Sequence, residues 1–317
     1  MIDDGKAQDR ENKRVDENPV RASVKLIECP RDAWQGLVRQ VPTEEKTAYL
    51  QGLLDAGFRH VDAVSFVSPA AVPQMADSEA VLAGLRIPAD AEVIGIVVNE
   101  RGAERALATG RVTTLGYPHS ISTQFLERNQ RVTPETSLAQ LRRIVSMGAA
   151  SGMKTVAYLS MAFGNPYGEP WTLDAVVEAC RQIADAGVTE LSLADTVGAA
   201  SSAQVGEMVS AVRGMMPETG VHLHARRESA SALIRSAWDA GCRRFDAALG
   251  GLGGCPFAQD DLVGNMATEA VYETLRRVAS MEPALTAAKL SELVERSVRI
   301  AAADDASASH GFAKEGS

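Results

Sequence analysis

The chain has 317 residues, 45% of them hydrophobic and 23% charged, an ordinary composition for a domain with enough apolar material for one large core. The formal net charge of −9 argues against nucleic acid or an anionic membrane surface as the main partner. Four cysteines (Cys29, Cys180, Cys242, Cys255), none in a C-x-x-C pair, exclude a disulfide framework and a zinc knuckle.

Residues 1–20 are polar, charged and aperiodic, which predicts a disordered tail and fits neither a secretory signal nor an acid-poor transit peptide. No apolar run approaches the length of a membrane span, so a cytoplasmic protein is expected. From 21 to 300 short apolar runs alternate with longer amphipathic stretches. The end, 301–317, is rich in Ala, Ser and Asp and is expected to fray.

In chain order the predicted strands are Val24–Glu28, His60–Ser65, Glu92–Val98, Val112–Tyr117, Thr155–Ser160, Glu190–Ala194, Val221–His224 and Arg243–Ala248. Helical patterns lie between them at Thr43–Ala56, Pro134–Ala150, Leu173–Ala186, Ala203–Met215 and Ser229–Ala240. Thr43 and Thr172 are suitable N-caps. Asp-Ala-Gly closes three of these helices, at Asp55–Gly57, Asp185–Gly187 and Asp239–Gly241, each just before a strand. Glycine there turns the chain through the left-handed region cheaply. A repeated helix stop and about eight such units predict a single-domain (β/α)8 TIM barrel. An open doubly wound sheet is the alternative, weakened because no G-x-G-x-x-G or P-loop follows the first strand. The stretch Leu285–Ile300 is expected to cover the barrel's side or to pack on a partner copy in a homodimer.

A (β/α)8 barrel carries its site at the C-terminal ends of the strands, and reactive residue types collect there. Strand one runs into Arg31-Asp32, a rim ion pair or a functional one. Strand seven places His222 and His224 on one inward face, as paired metal ligands or as packed histidines. They are two of only five histidines. Asp195 ends strand six, facing the mouth or capping the next helix. After strand eight, Gly250–Pro256 is five-sevenths Gly and Pro yet carries Cys255, a composition typical of catalytic lids. Asn265 follows as a helix cap or a cation ligand. Cys29, Cys180 and Cys242 read as structural.

Taken together, Pro30-Arg31-Asp32, Ser65-Phe66-Val67-Ser68-Pro69, Val72-Pro73-Gln74-Met75, Leu193-Ala194-Asp195-Thr196, His222-x-His224, Gly251-Leu252-Gly253-Gly254-Cys255-Pro256 and Gly264-Asn265-x-Ala267-Thr268-Glu269 stand in family order. Over about residues 23–280 the chain resembles the hydroxymethylglutaryl-CoA lyases of the DRE-type TIM-barrel metallolyases. The resemblance implies retro-Claisen cleavage of a 3-hydroxy-3-methylglutaryl-CoA-like thioester, with a divalent cation, Mg2+ or Mn2+, held by Asp32, His222, His224 and Asn265. It implies that Arg31 meets the enolate oxygen, Cys255 relays a proton and Asp195 assists at the tertiary hydroxyl. Asp62 stands where the family usually has Glu, in a substrate-binding position.

The chain also departs from the family. Ala225-Arg226-Arg227-Glu228 replaces the usual segment after the second histidine. Arg226 and Arg227 there either reach a substrate carboxylate or a CoA phosphate, or form a solvated basic turn. His119 and Asn129 are expected near the mouth. A condensing relative or a 2-oxo-acid aldolase, which would not need the Cys255 loop, is the competing enzyme. A non-catalytic metal-stabilised barrel is the third reading.

Overall fold

The computed structural model describes residues 21–253 and 263–311, with side chains as far as 302. The expected N-terminal tail, 1–20, therefore lies outside the described residues. Strand β1 (Ser23–Glu28) leads into α1 (Pro30–Gln35) and α2 (Thr43–Asp55), and β2 (His60–Ser65) into α3 (Ser78–Ala83). Then follow β3 (Glu92–Ile96), α4 (Glu100–Ala108), β4 (Thr114–Ser120), α5 (Thr123–Gln130) and α6 (Pro134–Ala150). The second half is more regular: β5 (Lys154–Ser160), α7 (Leu173–Asp185), β6 (Glu190–Asp195), α8 (Ser202–Arg213), β7 (Thr219–Leu223), α9 (Arg227–Asp239) and β8 (Arg244–Ala247). The chain finishes with α10 (Thr268–Leu275), a two-residue β9 (Ser280–Met281) and α11 (Ala287–Gly311), whose last turns overlap the segment expected to fray.

Strands β2 to β8 pair in sequence order, and β1 closes the ring by pairing in parallel with both β8 and β2. Lys25 lies opposite Arg244 and Glu28 opposite Val61. The expected (β/α)8 barrel is therefore present, with β9 extending the ladder beside the start of β1. Strand β4 runs further than its sequence suggests. Pro118 lacks one donor but keeps its place opposite Tyr158, and pairing with β5 continues to Ser120. Strand β7 stops sooner, at Leu223, and His224 bridges instead to Asn265.

Side chains alternate across each strand, so the barrel interior can be followed in layers. Its floor is ionic. Lys25 on β1 lies 2.6 Å from Glu190 on β6 and 2.9 Å from Glu92 on β3, and Arg244 on β8 pairs with the same Glu190. Above it sits a small apolar layer of Ile27, Cys29, Ile94, Ile96, Val156 and Tyr158. A larger core fills the space between strands and helices, and takes in Cys180 and Cys242 as expected. The described part of α11 packs on its own barrel. Leu293 and Ile300 are buried, and Ser297 Oγ donates to Leu249 O at 3.0 Å.

Two local expectations meet different outcomes. Thr172 caps α7 by accepting from Ala175 N at 3.1 Å. Thr43 does not cap α2, because Pro42 takes the cap position and the Thr43 hydroxyl donates to Asp77 at 2.8 Å. The three Asp-Ala-Gly stops behave alike, with φ of 100° at Gly57, 86° at Gly187 and 95° at Gly241. At Gly187 a Cβ would also sit 3.3 Å from Val145. Gly187→Ala is therefore expected to lower stability by about 1–2 kcal/mol, read as a lower urea midpoint with an unchanged slope.

Candidate active site

The C-terminal rim of the barrel gathers residues from opposite ends of the chain. Cys29 and Pro30 turn β1 at once into α1, whose first turn presents Arg31 and Asp32. The guanidinium is gripped from two sides. Its Nε donates to Asp62 Oδ1 at 3.1 Å and its Nη2 to Asp62 Oδ2, while Nη1 donates to Asp32 Oδ1 and to Gln35 Oε1, each at 2.9 Å. Burial works against the charge on Arg31, and Asp62, then Asp32, outweigh it and hold the group protonated.

Three donor groups converge beside this pair. One ligand atom each from Asp32, His222 and His224 lies within 4.8 Å of the others, and all three residues are buried. Asn265 joins them. Its amide nitrogen donates to Asp32 Oδ2 and to Leu252 O, both at 2.8 Å, so only its amide oxygen could ligate a cation. The neighbouring backbone holds it there, since Ala225 N donates to Gly264 O at 3.1 Å and Met266 N to Leu223 O at 2.8 Å.

Electrostatics prepare the set for a cation. Burial would raise the Asp32 carboxyl, but Arg31, then His222 and His224, bring it down to about 2. Burial, aided by His222, pushes His224 down to about 4, so its imidazole is neutral with a lone pair free at physiological pH. One carboxylate, two imidazoles and an amide oxygen, with no thiolate among the described ligands, suit a hard-to-borderline divalent ion.

These residues edge a cavity of about 260 Å³. Arg31, Asp32, His222 and His224 supply its polar lining, and Val67, Val72, Val98 and Phe125 its apolar lining; Asn129 also contributes, as expected. Tyr158 adds a group that the motifs do not mark. Its ring meets His222 edge-on at 5.9 Å, and its buried hydroxyl has no hydrogen-bond partner among the described residues. Burial, then Asp62 and Asp246, keep that hydroxyl protonated. Strand alternation could have revealed it, since Tyr158 shares the inward face of β5 with Val156 and Ser160.

Other expected site residues lie elsewhere. Asp195 does not face the mouth. Ala194 and Thr196 do, and the Asp195 carboxylate turns outward to accept from Ala199 N and Ala200 N, both at 2.9 Å. It shapes the turn before α8, whose cap is Ser201. Asp62 stands behind Arg31, away from the cavity wall, fully buried. His119 also faces outward, 2.8 Å from Ser137 Oγ on α6. Arg226 and Arg227 are exposed where α9 begins and do not line the cavity. Cys255 lies outside the described residues.

Glu28 is a further buried carboxyl at the rim that the motifs do not mark. It points out from the end of β1, where its two oxygens accept from Leu249 N at 2.9 Å and Thr268 Oγ1 at 2.6 Å. It thereby ties down both ends of the segment that carries Cys255.

Comparison with known proteins places these features in context. Residues 24–298 match the family model described as HMGL-like. The hydroxymethylglutaryl-CoA lyase YngG of Bacillus subtilis is 31% identical over 281 residues, covering 86% of this chain and 93% of that one. The mitochondrial hydroxymethylglutaryl-CoA lyase of Bos taurus is 34% identical over 251 residues, 78% of this chain and 76% of its own. Among solved structures, an HMG-CoA lyase from Brucella melitensis superposes with a TM-score of 0.82 at 32% identity, covering 89% of this chain and 99% of that one. An HMG-CoA lyase from Acinetobacter baumannii, solved with coenzyme A and 3-methylmalate, gives 0.82 at 30% identity, covering 88% and 92%.

The Glu28 tether makes a pH prediction. Burial raises its carboxyl from 4.5 to about 8 against the two hydrogen bonds that favour its ion. Between those values the folded chain holds a proton that the unfolded chain has released. The stability contributed by this group is therefore complete below 4.5, declines above it, and is lost as pH passes through 8. Urea midpoints taken across that window should fall for the parent protein and fall less for Glu28→Gln.

Proposed function

The chain belongs to the HMGL-like family and is a carbon–carbon lyase, and on that footing we propose that it cleaves 3-hydroxy-3-methylglutaryl-CoA, or a closely similar 3-hydroxyacyl-CoA, to acetyl-CoA and a keto acid. The observation that carries this reading is the convergence of Asp32, His222 and His224 within 4.8 Å, beside an arginine held in place by Asp62 and Asp32 and on the wall of one cavity. In this reading Asp32, His222, His224 and the Asn265 amide oxygen hold the cation, Mg2+ or Mn2+. Bound there, the cation supplies a Lewis acid that acidifies the substrate's tertiary hydroxyl.

The protein's own groups do the rest. When the carbon–carbon bond breaks, negative charge moves onto the thioester oxygen. A guanidinium has five N–H donors, and four of those on Arg31 are bound to Asp62, Asp32 and Gln35. The one left, on Nη2, is assigned to that oxygen. Because Asp62 fixes the guanidinium beforehand, little reorganisation is needed as charge develops. The Tyr158 hydroxyl, protonated and without a partner among the described residues, serves as a second donor to a substrate oxygen. The apolar lining of Val67, Val72, Val98 and Phe125 receives the non-reacting part of the acyl group and keeps water away. Arg226 and Arg227, exposed outside this cavity, are assigned to phosphates of the CoA portion. Cys255 is assigned the proton delivered to the enolate carbon, on the family resemblance of its glycine-rich segment, and the proton given up by the tertiary hydroxyl restores that thiol, so that no net proton is gained or lost. Asp195, turned away from the mouth, is given no proton transfer here; it holds the turn that follows β6.

Release of acetyl-CoA from a panel of 3-hydroxyacyl thioesters tests the reading. Chelation should abolish it, and Mg2+ or Mn2+ should restore it. Arg31→Gln should lower kcat by about 10²–10³ with a smaller change in KM. Cys255→Ala should cost a comparable factor. Undiminished cleavage in that variant would favour the condensing or aldolase chemistry instead.

A further inference from the structure

Asp246 takes no part in holding cation or substrate, yet it is 1% exposed and lies at the register position on β8 directly opposite His222. Both of its oxygens are fixed. Oδ1 accepts from Arg244 Nε at 3.1 Å, and Oδ2 accepts from Ser192 Oγ at 2.7 Å. The same Oδ2 lies 3.8 Å from His222 Nδ1, a buried nitrogen with no hydrogen-bond partner among the described residues. On the far side of the ring, Nε2 lies 3.9 Å from Asp32 Oδ2. The imidazole therefore stands between two carboxylates, one belonging to the ligand set and one beneath it.

A neutral imidazole carries one N–H and one lone pair, and only the lone pair binds a metal. With the N–H on Nδ1, toward Asp246, the lone pair falls on Nε2, toward Asp32. The reverse tautomer would set a lone pair against a carboxylate. Asp246 can impose this choice only if it cannot move, and the barrel floor supplies that rigidity. Arg244 is bound in turn to Glu190, which Lys25 also meets at 2.6 Å. Room for the arginine stem comes from Gly220 on β7, where a Cβ would lie 2.6 Å from Arg244 Cγ.

We propose that Asp246 is a positioning residue that sets the tautomer and ring orientation of His222 for cation binding, with Ser192 and Arg244 as its braces. This goes beyond the reaction assigned above and rests on that assignment only for the identity of the cation site. Carboxylates behind metal-bound histidines typically change affinity about 10–100-fold when removed.

The experiment titrates purified full-length protein with Mn2+ in the absence of substrate, reading free Mn2+ by electron paramagnetic resonance. Asp246→Asn should weaken the Kd by about 10–100-fold, and Ser192→Ala, which leaves the Arg244 pair intact, should weaken it several-fold. In a His222→Ala background neither change should weaken binding further, because the group they position is gone. Wild-type affinity in a folded Asp246→Asn protein overturns the proposal, and so does a loss that persists undiminished without His222. If Asp246→Asn fails to fold, Ser192→Ala decides alone, and an unchanged Kd in it overturns the proposal. Should His222→Ala itself leave Mn2+ binding untouched, the cation site is wrong and the proposal falls with it. That outcome is distinct from one in which only the Asp246 and Ser192 variants are silent.

Discussion

Closure of the barrel through β1 is the constraint on which the site depends. Lys25 to Glu28 pair with Arg244 to Ala247, and Glu28 also pairs with β2. That pairing carries the first turn of α1 to within hydrogen-bonding reach of a residue 233 positions away, Asn265 against Asp32. It also stands Arg31 over Asp62 on β2 and beside the two histidines at the end of β7. No local interaction could assemble the whole group, whose members come from α1, β2, the end of β7 and the segment before α10. A rim of this kind favours sites made from several strand ends, because the strands fix position while the loops remain free to vary.

Closing a barrel around so many ionic groups costs solvation, and the interior meets that cost by leaving few charges alone. From floor to rim, Lys25 faces Glu92 and Glu190, Arg244 faces Glu190 and Asp246, and Arg31 faces Asp32 and Asp62. Removing one member of such a buried pair strands the other, which typically costs about 3–5 kcal/mol. The apolar layer around Ile27, Ile94 and Val156 separates floor from rim. On β8, Arg244 of the floor and Asp246 lie two residues apart on one face and are joined by a hydrogen bond of 3.1 Å. The same arrangement that neutralises the floor places a rigid carboxylate under a metal-ligand candidate.

The rim also shows how a fold divides similar residues between tasks. Asp62, Asp195 and Asp246 are all acids on barrel strands, yet one braces an arginine, one shapes a turn and one backs a histidine. Asp62 and Asp246 share the inward face and differ in the partner that meets them there, Arg31 for one and Arg244 for the other, whereas Asp195 faces outward to the turn before α8.

Much of this was legible in the chain itself. Asp-Ala-Gly stops, strand-length apolar runs and the absence of a phosphate-binding glycine motif determine a (β/α)8 barrel, because helix ends and strand periodicity are local properties. The pairing of His222 with His224 is likewise local, since residues two apart share a face whatever surrounds them. Which face Asp195 and His119 take was decided only in three dimensions. Inwardness depends on the phase of the whole strand in the closed sheet, and Ala194 and Pro118 occupy the inward positions beside them. The same holds for Asp246 and Tyr158, which no motif singles out: their importance comes from what lies across the barrel, and a sequence records neighbours along the chain rather than across it.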